Sequence, residues 1–166
     1  MKGKILLDLN TARDYCLLGI SCHLKDYRFV WLLNRQLEIN LRRLHDFYPR
    51  FDQETDSQFA FPLFYEEENF RFETFYLLGN HSPEGDLIDK PASMDYLFFI
   101  HDLAFPGGSR GLIQEIRKIP QVIMAWEVKM NELKDGESLI SGIELCLMEY
   151  QKNQKEKNPY MFKNKE

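Results

Sequence analysis

The segment Met94-Asp95-Tyr96-Leu97-Phe98-Phe99-Ile100 carries no polar residue after Asp95. A strand without polar alternation belongs in the middle of a sheet rather than at its edge. The chain then breaks at Pro106-Gly107-Gly108, and Ser109 is placed to cap a short helix carrying Leu112, Ile113, Ile116 and Ile119. Pro120 stops that helix, and a second apolar run, Val122-Ile123-Met124-Ala125-Trp126, follows. A strand, a helix of this length and another strand imply a crossover unit with both strands in one sheet.

The rest of the chain is read around that unit. Tyr15-Cys16-Leu17-Leu18-Gly19-Ile20 suits a buried strand. Ser21 is placed to cap the next helix, where Leu24, Tyr27, Val30, Trp31 and Leu37 recur at three- and four-residue steps and share one face. Lys25, Arg28 and Arg35 fall on another face. Asn34 lies on the apolar face, where its amide needs partners, because an unpaired buried polar group costs about 1–3 kcal/mol. Leu41 to Tyr48 reads as a strand or extended turn ended by Pro49. Phe59 to Tyr65 reads as a strand that Pro62 confines to an edge or a bulge. Phe70 to Leu78 begins with the strand period of two, and Glu66-Glu67-Glu68-Asn69 is short enough for a hairpin. His81 to Asp86 is a turn cluster, and Glu137 to about Lys155 is a terminal helix with a stripe of Leu139, Ile143, Cys146, Leu147 and Tyr150. These elements describe an α+β domain over residues 1–150, a mainly antiparallel sheet covered on one face by about three helices. A ferredoxin-like arrangement is one variant of that class. Residues 151–166 read as a basic C-terminal tail.

A chain of 166 residues can bury a core without disulfides or metals, and its 44% hydrophobic and 28% charged residues are ordinary for a globular domain. The net charge of −5 argues against bulk binding to a phosphate backbone. The charge is uneven: Gln151–Glu166 holds five lysines and two glutamates, which leaves an acidic body and a basic end. Cys16, Cys22 and Cys146 do not form a disulfide framework, and free thiols in a reducing cytosol are the simpler reading. The first residues lack the apolar run of a signal segment, and no stretch reaches 18 apolar residues. A soluble cytoplasmic protein with no membrane segment is expected.

Four blocks resemble the bacterial family named for the motif IPExxxVDY. They are Leu18 to Asn34; Phe75-Tyr76-Leu77-Leu78-Gly79-Asn80; Leu87 to Tyr96; and Lys118 to Glu127, followed by Leu133-Lys134 and Glu137-Ser138-Leu139. In the third block Ile88, Asp95 and Tyr96 match the naming motif, Asp89 and Lys90 stand where Pro and Glu are expected, Met94 replaces Val, and Pro91 falls two positions late. The resemblance implies no reaction, cofactor or catalytic residue.

No motif assigns a catalytic site. Asp95, at the start of the central strand, suits acceptance of backbone N–H groups from the preceding turn; as a pocket carboxylate it would face Asn34 or Asn80. His23, His45 and His101 each have an aspartate nearby (Asp26, Asp46, Asp102), and His81 completes the set; surface or capping roles are the simpler reading. No histidine or cysteine spacing matches a zinc site, and the cysteines lack an obvious base partner. Pro106 to Gly111 lacks the ending of a phosphate-binding Walker loop, although backbone amides with Arg110 would suit an anion. Tyr27, Trp31, Asn34, Asn80, Asp95, Tyr96 and Arg110 are therefore the candidate binding residues, with no metal and no cofactor. Three functions follow in order: a non-catalytic protein-binding or adaptor module; a ribosome- or RNA-associated factor using Lys152–Lys165 with Arg42-Arg43; and an enzyme with a pocket around Asp95, Asn34 and a histidine. A protein partner is expected, and nucleic acid is the alternative.

Overall fold

The computed structural model describes residues 15–49, 59–66, 72–88, 94–133 and 135–157. Its strands are β1 (Tyr15–Ser21), β2 (Arg42–Arg43), β3 (Leu63–Glu66), β4 (Thr74–Gly79), β5 (His81–Ser82), β6 (Gly85–Asp86), β7 (Tyr96–His101) and β8 (Met124–Val128). Its helices are α1 (Asp26–Leu37), α2 (Gly108–Arg117) and α3 (Gly136–Lys157), with a 3-10 turn at Met130–Glu132.

Six strands form one sheet in the order β2-β3-β4-β7-β1-β8, and each neighbouring pair is antiparallel. The α+β class is the one the sequence indicates. The all-apolar β7 lies between β4 and β1, pairing Phe98 with Leu77 on one side and with Leu18 on the other. β7 and β8 both run antiparallel to β1, which separates them, so α2 is a crossover between two parallel strands. Strands β4-β7-β1-β8 with α1 and α2 have the βαββαβ connectivity of a ferredoxin-like unit; β3 and β2 extend its edge. The turn cluster at His81 is a separate two-stranded hairpin, β5-β6.

The helices cover both faces of the sheet, a correction to the one-sided expectation. Leu18, Ile20, Phe75, Leu77, Phe98 and Ile100 pack with Phe29, Val30, Leu33 and Leu37 of α1 and with Leu112 and Ile116 of α2. The alternate residues Leu17, Tyr76, Leu78, Leu97 and Phe99 pack with Leu139, Ile140, Ile143 and Cys146 of α3. The cause is in the strands: β1, β4 and β7 are apolar at successive positions, and consecutive side chains point to opposite faces. One layer of helices would leave half of those side chains in water, at roughly 1.5–3 kcal/mol each for Leu, Ile or Phe.

α1 buries Val30 and Leu37 of the stripe read in its sequence, with Leu24 packed beside them, but not Tyr27 or Trp31. Phe29, Val30, Leu33 and Leu37 are buried, whereas Tyr27 is 63% exposed and Trp31 60%. Neither serine caps a helix. The cap positions are Lys25 for α1 and Gly107 for α2, neither with a side-chain cap bond; Ser21 lies before the cap and donates to Asp95 at 3.3 Å, and Ser109 lies within α2 and donates to Glu127 at 2.7 Å. The expected strand from Leu41 to Tyr48 is reduced to β2 and a single bridge between Phe47 and Phe61. β8 starts two residues after Val122, with Ile123 and Met124 exposed at the sheet edge. The expected boundary at residue 150 falls inside α3. The expectations for Met1–Asp8, the hairpin connection at Glu67 to Asn69, Phe70-Arg71, Asp89 to Ser93 and residues 158–166 lie outside the described residues.

Gly19 and Gly79 show why two small residues sit in otherwise bulky strands. A Cβ on Gly19 would come 2.7 Å from the Trp126 indole, and one on Gly79 would come 2.5 Å from the Pro62 ring. Missing side chains there let a large ring lie directly on the strand.

Candidate functional site

Asp95 immediately precedes β7, at the end of the sheet where β1 finishes. Its backbone N–H donates to Ile20 O at 2.9 Å, and its carbonyl accepts the Asn80 N–H at 2.9 Å. Its carboxylate is shared between two directions. Oδ2 accepts the Cys22 backbone N–H at 2.8 Å and the Ser21 hydroxyl; Oδ1 lies 2.7 Å from His81 Nε2. The other ring nitrogen, His81 Nδ1, lies 2.6 Å from Asp86 Oδ1. Burial alone would lower the His81 pKa, but hydrogen bonds to Asp86 and Asp95, and their negative charges, outweigh it and raise it. With a carboxylate on each nitrogen, only the imidazolium donates to both. Asp95 thus ties the exit of β1 to the start of β7, and His81 clamps the β5-β6 hairpin onto that joint.

The amides read as possible neighbours of Asp95 serve the backbone instead. Asn34 Nδ2 donates to Leu41 O at 3.1 Å, and Asn34 Oδ1 accepts the Leu41 N–H at 2.9 Å. Asn80 Nδ2 donates to Ile88 O and Met94 O at 3.0 and 2.8 Å, while its Oδ1 accepts the Ile88 N–H at 2.9 Å. Among the described residues the Asp95 carboxylate therefore meets His81, Ser21 and Cys22, not Asn34 or the Asn80 side chain, and the backbone N–H it accepts is that of Cys22, just after β1. Tyr96 is buried; its hydroxyl donates to Leu24 O at 2.6 Å and its ring lies 4.6 Å from that of Phe29. Burial, with Asp26, Cys22 and Asp95 nearby, pushes its pKa up, so it remains a neutral donor.

Tyr27 and Trp31 stand apart from this cluster on the solvent face of α1, with the Arg35 guanidinium 5.6 Å over the Trp31 ring. Arg110 is exposed on α2. At the start of that helix, the Gly108 N–H donates to Phe105 O at 2.9 Å and the Ser109 hydroxyl is taken by Glu127, so two of the groups an anion would need are occupied. Among the described residues, no group of three or more His, Cys, Asp or Glu side chains is placed to hold a metal ion, and no helix is long and apolar enough to cross a membrane.

One constellation escaped the sequence. Cys146 Sγ lies 3.3 Å from His45 Nδ1, so this cysteine has the base partner that sequence reading failed to find. The pair is 101 residues apart in the chain and carries no local spacing signal; only the docking of α3 against the loop after β2 creates it. His45 shares no bond with its neighbour's carboxylate, because Asp46 pairs with Arg43. His101 does meet Asp102, at 3.0 Å.

The fold and this geometry define an α+β domain whose conspicuous polar groups are largely engaged in joining strands. The chain matches no known family, no curated protein and no solved structure to which it was compared.

Proposed function

We propose that this chain is a non-catalytic protein-binding or adaptor module of the cytoplasm. The observation that carries the reading is the solvent face of α1, where Tyr27 and Trp31 remain more than half exposed although the opposite face of the same helix anchors the core. Tyr, Trp and Arg dominate binding energy at protein interfaces, and Arg28 and Arg35 share this exposed side. Three cysteines that are not paired with one another suit a reducing compartment. The test is affinity purification with the full chain and a Tyr27→Ala/Trp31→Ala variant. A partner enriched by the wild type and lost with the variant is expected; identical captured sets, or none above background, would refute it.

We also read the chain as a member of the IPExxxVDY family. What supports this is that the four resembling blocks meet one another. Asp95 and Tyr96 bond to Cys22 and Leu24 of the first block, Gly79 pairs with Tyr96, and Trp126 lies on Gly19.

One observation favours the second reading, an RNA- or ribosome-associated factor. Arg42 and Arg43 line the same hollow as Tyr150, and the last turns of that helix carry Lys152, Lys155 and Lys157. Arg42-Arg43 thus lies beside the point of α3 from which the lysine-bearing turns continue. Salt-sensitive co-sedimentation with ribosomes, weakened by Arg42→Glu/Arg43→Glu, is the result this reading requires; no co-sedimentation at low salt ends it.

A further inference from the structure

The loop His45–Pro49 and α3 enclose a groove of about 290 Å³. Leu139 and Leu145 supply apolar lining, Ser138 and Ser141 supply hydroxyls, and Asp46 and Glu149 supply carboxylates. Cys146 forms part of the wall with 9% of its surface exposed, and His45, on the opposite side, is open to solvent. The imidazole is held in place. Its ring meets Tyr150, one turn along α3 from Cys146, edge-on at 6.1 Å, and its Nδ1 faces both the sulfur and, at 3.4 Å, the Asp46 carbonyl oxygen.

We propose that Cys146 and His45 form a thiol-exchange site for a small amine-bearing disulfide. The Cys146 sulfur attacks one sulfur of the disulfide R–S–S–R while His45 Nδ1 takes the thiol proton. A Cys146–S–S–R bond forms, the original S–S bond breaks, and the electron pair leaves on the second sulfur. That thiolate takes the proton back from His45 and departs as R–SH. The cysteine sulfur is oxidised and the departing sulfur reduced, so the disulfide is the only oxidant required. Once Nδ1 has taken the proton, its N–H also faces the Asp46 carbonyl oxygen at 3.4 Å, an acceptor available to the imidazolium. Arg43 already neutralises Asp46, so the Glu149 carboxylate is the lining charge that favours a cationic substrate over an anionic one.

Cys16 is a built-in comparison. Burial, followed by nearby Glu127, pushes its thiol up to about 11; burial, followed by nearby Glu149, pushes Cys146 to about 11 as well. Neither sulfur is a thiolate at neutral pH, so excess reactivity at Cys146 traces to His45 and to the groove. The test follows the rate of cystamine adduct formation at each cysteine of the full chain by peptide mass mapping, with urea-unfolded protein as the equal-reactivity reference. Cys146 should react at least about tenfold faster than Cys16 or Cys22, and His45→Gln or His45→Asn should remove about tenfold or more of that rate in protein that retains its circular dichroism. The anionic dithiodiglycolate should react more slowly than cystamine, and Glu149→Gln should narrow the difference. Labelling of Cys146 no faster than Cys16, or a rate indifferent to both His45 variants, would overturn the proposal. Equal rates for the two disulfides would overturn its substrate class.

Discussion

Asn34 presents Leu41 with a donor and an acceptor from one side chain, the pair of bonds that a neighbouring strand would otherwise supply. Leu41 is 3% exposed, so its main-chain groups have little water to fall back on. Asn34→Leu keeps the size of the side chain and removes both bonds. It should lower unfolding free energy by about 1–3 kcal/mol in urea denaturation, while an unchanged midpoint would show that water reaches Leu41. His81 gives the fold a pH dependence of definite sign. Its folded pKa is raised above the unfolded value of about 6.5, so its contribution is complete below that value and fades as pH rises through the higher folded pKa. Its side chain is half exposed, which keeps the effect under about 1 kcal/mol. Wild-type stability should fall, as pH rises above about 6.5, more than that of His81→Gln, measured by the same denaturation series. The need for partners at Asn34 was legible from its place beside apolar residues. The Asp95–His81 link was not, since the 14 residues between them meet only through strand pairing, although its continuation from His81 to Asp86 stays within one five-residue turn.

At the scale of the element, α1 shows how far periodicity reaches. Existence of the helix was legible, and so were Val30 and Leu37 of its buried face, but not the outward place of Tyr27 and Trp31. Between Tyr27 and Leu33 every residue but Arg28 is bulky and apolar or aromatic, so more than one stripe fits a helical period. The sheet chose Phe29, Val30, Leu33 and Leu37, and left Tyr27 and Trp31 outside. β7 was simpler to place because a strand with no polar position has only the middle of a sheet to occupy. Strand β8 lies at the edge, and α2 guards it: Arg117 donates from Nε and Nη2 to Ala125 O at 3.1 and 2.7 Å. A charged side chain on an edge carbonyl discourages a second strand from docking there. Arg117→Ala should therefore raise self-association, read as an increase in sedimentation coefficient with concentration, at a stability cost of about 1–3 kcal/mol. A monomeric variant at every concentration would assign Arg117 no protective role.

At the scale of the whole molecule, the division of labour runs between inside and outside. Both faces of the sheet are apolar, so both are covered, by α1 and α2 on one side and α3 on the other. The antiparallel α+β class was legible from the order of elements; the two-sided cover was implicit in β1, β4 and β7 but hidden by the assumption that helices gather on one face. Asp95, Asn80 and Asn34 join elements, and the bulky exposed side chains of α1 face outward. The most direct measurement crosses these two roles, comparing unfolding free energy and partner capture for the wild type, Asp95→Asn and Tyr27→Ala/Trp31→Ala. Asp95→Asn should lose stability by about 1–3 kcal/mol yet capture the same partner per folded molecule, and the double variant should keep stability within about 0.5 kcal/mol yet lose the partner. Loss of capture in stable, folded Asp95→Asn, with capture intact in the double variant, would contradict the account.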